Sequence, residues 1–329
     1  DSSGGNDPRE ATFLIPPGIE VYGGFEGTEE SKEERIPAWH ETLLCGGDSC
    51  NSLPWLFLGG DEDYSDNVYH VVTFINAGNH TLLDGFYIWG GNANAEGSDQ
   101  PHNKGGGIYN MSTGAGNTSR PLIRYCHIRG NKADYGGGIY NMGIDRGESN
   151  PDLLSCTFSH NDAYTVGGFM YSGGIEYGVS NPALTNCVIY KNQSQVLGGG
   201  MYNYGKSGGH CSPILVNCTF YDNYAGYDGG AMFNRTHSGG HCSPVVTNSI
   251  LWYDHAGRSG NEVYNDDAAP TFTYCNISGG SEDFGSEGLN SVTYRNNMMD
   301  GPEFVNVDPS YPIDLRLDPG MPWGFPSPW

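Results

Sequence analysis

A glycine-led segment returns along this chain every 31 residues, beginning at 105, 136, 167, 198, 229 and 260. Its first copy reads Gly105-Gly106-Gly107-Ile108-Tyr109-Asn110. A second, cysteine-led series runs between the copies, at 126–131, 156–161, 187–192 and 218–223, with a weaker copy at 249–254. Prolines punctuate the same repeat at Pro121, Pro151, Pro182, Pro213, Pro244 and Pro270. A fixed interval of this size marks a stacked repeat protein, in which each unit buries its apolar face only against its neighbours.

The unit is β rather than helical. In Cys156–Phe158 and Cys218–Phe220 apolar residues stand two apart, the strand period. Each glycine inside a helix would cost about 1 kcal/mol, and the segments open with up to three in a row. The expected fold is therefore all-β: a right-handed parallel β-helix, or β-solenoid, with 31-residue coils. Successive coils would pair about 4.8 Å apart, so equivalent side chains stack. Ile108, Ile139, Met170, Met201, Met232 and Val263 then form one inward row. Cys126, Cys156, Cys187 and Cys218 form another, joined by Ile128, Phe158, Ile189 and Phe220. Asparagines closing each segment, among them Asn131, Asn161, Asn192 and Asn223, are expected at turns, bonding along the stack. Tyr109, Tyr140, Tyr171, Tyr202, Phe233 and Tyr264 are expected to stack as an aromatic ladder.

One continuous solenoid is expected, with long insertions in coils at 1–104, regular coils at 105–300 and a Pro/Trp-rich tail at 301–329. Residues 26–68 read as a large polar excursion, and 110–121 with its equivalents as one projecting loop per coil. The 51 glycines lack a Gly-X-Y period, which excludes collagen. At 37% hydrophobic residues the chain is too apolar to be disordered. No apolar run is long enough for a transmembrane helix. A formal charge of −23 argues against nucleic acid and anionic lipid as partners. The first residue is Asp1 and no signal peptide is read, so a processed chain is expected.

Gly229-Gly230-Ala231-Met232, Phe158-Ser159-His160-Asn161 and Phe220-Tyr221-Asp222-Asn223 carry a resemblance. They resemble the paired repeat motifs of the polymorphic outer-membrane proteins, which are autotransporter adhesins. The chain resembles still more the secreted bacterial β-helix proteins with Gly-Gly-Gly-Ile-Tyr-Asn coils. In these a Val-Tyr-Gly-Gly-Phe-x-Gly-Thr-Glu segment, here 21–29, precedes Leu-Asp-Gly-Phe, here 83–86. The resemblance covers residues 12–318 and implies a secreted or surface-displayed adhesive or scaffolding protein.

Four further groups draw attention. Gly-Gly-His-Cys-Ser-Pro occurs at 208–213 and 239–244, so a Cys211–Cys242 disulfide between neighbouring loops is expected. The alternative is a metal site of His210, Cys211, His241 and Cys242, with His237. Cys45 and Cys50 bracket a short loop and are a second expected disulfide; both bonds need an oxidising compartment. Asp61, Asp63 and Asp66 concentrate hard oxygen ligands that suit calcium, against the plainer reading of a solvated acidic loop. Asp266-Asp267 is the one adjacent aspartate pair in the repeat region, and no catalytic residue is assigned. No nucleophile elbow or phosphate-binding loop is present. The leading expectation is an extracellular structural or adhesive protein, self-associating into a filament or sheath or holding a surface glycan or protein. The alternative is a polysaccharide-binding or pectate-lyase-like cleaving protein.

Overall fold

A computed structural model describes residues 7–47, 64–97, 101–288 and 291–302, with the backbone of 304–306 and 314–317. Each pass of the chain lays one strand on each of three long sheets, except the last, which among the described residues adds none to the third. Sheet A holds nine strands, from Phe13–Leu14 through Val72–Ile75, Ile108–Thr113 and Ile139–Ile144 to Gly285–Glu287. Sheet B holds nine, from Glu20–Tyr22 to Thr293–Arg295, and sheet C eight, from Thr42–Cys45 to Asn276–Ile277. A fourth, narrower sheet D runs over six coils, from Asn92–Ala93 to His255–Ala256. Neighbours in these sheets pair in parallel and in sequence order, which makes the molecule a parallel β-helix.

The 31-residue offset is not uniform around the first regular coils. Thr113 pairs with Ile144, but Thr118 pairs with Glu148, so the turn between them drops one residue. The residue returns through a bulge in sheet D, where Ala133 pairs with Ala163 but Tyr135 with Val166. Register is therefore restored before the next glycine segment.

Inward rows from the three sheets fill the interior. Ile108, Ile139 and Met170 of sheet A meet Ile123, Leu153 and Leu184 of sheet B and Ile128, Phe158 and Ile189 of sheet C, all essentially inaccessible. Each such side chain contributes about 1.5–3 kcal/mol by leaving water. Turning corners this tightly requires left-handed backbone. Between sheets B and C it falls on Gly85, Tyr125, Ser155, Asn186, Asn217, Asn248, Tyr274 and Asn296, with φ from 50° to 82°. Between sheets C and D it falls on Gly90, Gly130, His160, Lys191, Asp222 and Tyr253. A non-glycine residue there costs about 1–2 kcal/mol, which neighbouring hydrogen bonds must offset. The middle glycine of each triplet answers a different need: a Cβ on Gly137 would lie 2.4 Å from the Asp162 carbonyl oxygen of sheet D.

Two expectations change. The excursion at 26–68 is not wholly outside the solenoid, because Thr42–Cys45 is the first strand of sheet C. Its approach is pinned by Arg35, which reaches the buried Asp84 at 2.5 Å, where Arg124 also binds at 2.6 Å. The segments at 110–121 are not projecting loops either. The sheet A strand runs on to Thr113, and Thr118–Ser119 adds a short strand of its own. Asn110 accordingly lies within a strand rather than at a turn. In the tail, Phe304–Asn306 pairs antiparallel with Asp314–Leu317.

Candidate functional site

The cysteine column is a set of buried free thiols: Cys126, Cys156, Cys187 and Cys218, continued after Ser249 by Cys275. Each thiol points at two carbonyl oxygens, one two residues back and one in the preceding coil. For Cys156 these are Leu154 at 3.5 Å and Ile123 at 3.4 Å. Burial pushes the Cys156, Cys218 and Cys275 thiols above their usual range, so they are poor nucleophiles.

The expected Cys211–Cys242 disulfide is not formed; both residues are free and buried. They stand in register on adjacent short strands, His210–Cys211 and His241–Cys242, rather than in loops. Side chains on in-register parallel strands run alongside each other, so their Cβ atoms stay about one strand spacing apart, beyond the ~3.8 Å typical of a disulfide. The thiols turn inward instead, Cys211 to the Ser172 carbonyl at 3.2 Å and Cys242 to that of Asn203 at 3.6 Å. The alternation that buries them exposes His210 and His241, so the four residues do not converge on a metal. Among the described residues no three His, Cys, Asp or Glu side chains gather around a metal position. Of the expected calcium ligands, Asp66 is exposed, whereas Asp61 and Asp63 lie outside the described residues. Cys50 also lies outside them; Cys45 ends its sheet C strand.

Two asparagine stacks are present. At the corner between sheets C and D, Asn131 Nδ2 donates to Asn161 Oδ1 at 3.0 Å, Asn161 to Asn192 at 2.9 Å and Asn192 to Asn223 at 2.9 Å. The same oxygens accept backbone N–H groups, as from Asn161 N to Asn192 Oδ1 at 3.1 Å. The stack closes on Asp254, whose Oδ1 accepts from Asn223 N at 2.8 Å and Nδ2 at 2.7 Å. The second stack lies within sheet A: Asn110 donates to Asn141 at 2.7 Å, Asn203 to Asn234 at 2.9 Å and Asn234 to Asn265 at 3.0 Å. Ser172 interrupts it, and Asn141 turns to Ser180 Oγ.

The tyrosines stack on the outer face of sheet A. Ring centroids are 5.6 Å apart for Tyr109–Tyr140, 4.9 Å for Tyr140–Tyr171 and 5.4 Å for Tyr171–Tyr202. Phe233 follows at 5.4 Å and Tyr264 at 5.0 Å. The rings lean along their strands. A Cβ on Gly173 would lie 2.8 Å from Tyr171 Cε1 and 2.9 Å from Met142 Cε. From Tyr109 to Phe233 each ladder residue is at most 8% exposed, which leaves no ring face for a sugar. Burial pushes Tyr109 up to about 12 and the next three hydroxyls further.

Beside this ladder the outer face changes character along the stack. The row that begins Met111, Met142 continues Gly173, Tyr204, Arg235, Asp266 and Glu287. Arg235 Nε meets Asp266 Oδ2 at 3.0 Å, and partial burial raises the Asp266 carboxyl. Asp267 enters the turn at φ 53°, so the aspartate pair does not act as a unit on one face. A concavity lined by Leu43, Tyr87, Trp89, His127 and Arg129 is no larger than about one water. Among the described residues no helix is long and apolar enough to cross a membrane. No protein-family model, curated protein or solved structure matches the chain.

Proposed function

We propose that the chain is an extracellular structural or adhesive β-solenoid subunit that lengthens by stacking end on end with further copies. One observation carries the reading. At the N-terminal end, sheets A, B and C stop at Phe13–Leu14, Glu20–Tyr22 and Thr42–Cys45, and no described strand lies beyond them. Phe13, in register with Val72 and Ile108 of an inward row, is 51% exposed there. Such an edge offers unpaired N–H and C=O groups to another strand. A head-to-tail contact does not close and yields a filament. The resemblance of the glycine-led coils to secreted β-helix proteins supports the same reading. The expected Cys45–Cys50 bridge would need an oxidising compartment, and burial would shield the seven free thiols there.

Electron microscopy of the native protein tests this. Filaments are expected from the wild type and separate short rods from Phe13→Asp. Separate rods from both, at every concentration tried, would refute stacking. A second reading, polysaccharide binding or cleavage, draws on the outward row of Tyr204, Arg235, Asp266 and Glu287. Its check is a glycan screen in which Asp266→Asn with Glu287→Gln abolishes any activity found.

A further inference from the structure

The corner stack of asparagines ends in a different chemistry. Asp254 stands where the earlier coils have Asn131, Asn161, Asn192 and Asn223. Glu262 stands where they have Gly107, Gly138, Phe169, Gly200 and Ala231, a position that faces this stack. A Cβ on Gly138, for example, would lie 3.2 Å from Asn161 Nδ2. Asp254 is 1% exposed and Glu262 2%. Asp254 Oδ1 is occupied by the two N–H groups of Asn223, whereas Asp254 Oδ2 and Glu262 Oε2 meet no donor. The two carboxyl groups act on each other at close range, and a hydrogen bond between them needs a proton on one. Among the described residues, the other charges acting on the pair are acidic. Asp222 comes from the preceding corner, and Asp283 from the short helical turn Gly280–Asp283 that follows. His255 is exposed, with its ring nitrogen at the Asp254 carbonyl, 3.2 Å away.

We propose that Asp254 and Glu262 are a buried acid pair that shares one proton and locks the last coils onto the asparagine stack. Two ionised carboxylates in contact and out of water repel, so loss of the proton loosens the wall from Asp254 to Glu287. Burial pushes Asp254 up to about 7 and raises Glu262 well above a free carboxyl. The folded chain thus holds a proton that the unfolded chain has released above about pH 4.5, so this contribution weakens as pH rises through that window.

The test is amide hydrogen exchange of the full chain from about pH 5 to about pH 9, corrected for intrinsic rates, with infrared spectroscopy of the carboxyl groups. Protection across 254–287 is expected to fall roughly tenfold or more in the wild type as pH rises. It should stay level in Glu262→Gln, whose amide donates permanently. Should that variant fail to fold, Asp254→Asn restores the residue of the other coils and should level the profile too. A protonated carboxyl band at neutral pH is expected in the wild type and lost in either variant. An unchanged pH slope in the variants, or no such band in the wild type, overturns the proposal. So does a protection gain from added calcium at alkaline pH that the variants lack, since the pair would then be a cation site.

Discussion

Two stacks of identical side chains climb this solenoid, and they hold it in different ways. In the corner asparagine stack each amide donates to the next oxygen, and that oxygen also accepts a backbone N–H of the coil before. The identity of the group is essential, because its length and both polarities are used. In the tyrosine stack the shared quantity is ring area. Phe233 takes a place in it without a break in spacing, 5.4 Å from Tyr202 and 5.0 Å from Tyr264. The asparagines also sit beside the strained corner residues His160, Lys191 and Asp222, at φ 52–55°. Their amides bond the carbonyls that flank the bend, as Asn192 Nδ2 does to Phe158 and Tyr190. Hydrogen bonding thus sets the wall's corner, and apolar packing tiles its outer face.

Asn192→Leu is the sharpest way to break this contrast. It removes donors to Phe158 O at 3.0 Å, Tyr190 O at 3.2 Å and Asn223 Oδ1 at 2.9 Å. It also strands the Asn161 N–H groups that Asn192 Oδ1 accepts. Several buried groups left unpaired, at about 1–3 kcal/mol each, predict a loss of roughly 4–5 kcal/mol in chemical denaturation. A loss below about 1 kcal/mol would mean that packing, not hydrogen bonding, sets the corner.

The stacks also terminate on opposite titrations. The asparagine stack ends on Asp254, and the tyrosine stack begins under His70, whose ring lies 4.9 Å from Tyr109. His70 is buried with Nδ1 3.0 Å from the Gly105 carbonyl oxygen, and burial lowers it to about 4. Its pKa is depressed relative to the unfolded chain, so the neutral ring stabilises the fold fully above about pH 6.5. That contribution is lost as pH falls through about 4, the reverse of the acid pair. Thermal unfolding should therefore show an acid limb shared with His127 and His160, which burial also lowers to about 4, and His70→Gln should reduce it by at most roughly 3 kcal/mol. An acid limb identical in the variant would assign it to other groups.

The repeat made much of this visible before any coordinates. The spacing of 31 residues, 30 at the first step of the cysteine-led series, placed Cys126, Asn131, Tyr109 and their successors in rows, because in-register parallel stacking converts a sequence period directly into contact. What the period does not encode is which way a row faces. Cys211 and Cys242 read as loop residues, yet they alternate with exposed histidines on short strands and turn inward. Asn110 reads as a turn residue but lies in a strand, since the strand runs three residues further. Thr42–Cys45 escaped notice because the first coil reaches it through an excursion of irregular length. The acid pair left a signal that row-building hides: asparagine becomes aspartate at 254, and a small or apolar residue becomes glutamate at 262, within one coil. Paired departures from a repeat identify chemistry better than the repeat itself does.

The smallest expected effect gives the finest test of the contrast. Tyr171 packs between Tyr140 and Tyr202 and over Gly173. Removing its ring in Tyr171→Ala should cost about 3 kcal/mol, as for other aromatic truncations. Tyr171→Phe keeps the ring, so all its stacking area survives, and Phe233 already occupies an equivalent place. The expected change is under about 1 kcal/mol, the range of a volume-conserving swap. Denaturation midpoints of the two variants, measured side by side, separate ring area from hydroxyl chemistry. If Tyr171→Phe approached the cost of Tyr171→Ala, the hydroxyl would carry the stack. The tyrosine ladder would then be a second hydrogen-bonded column rather than a packed tile.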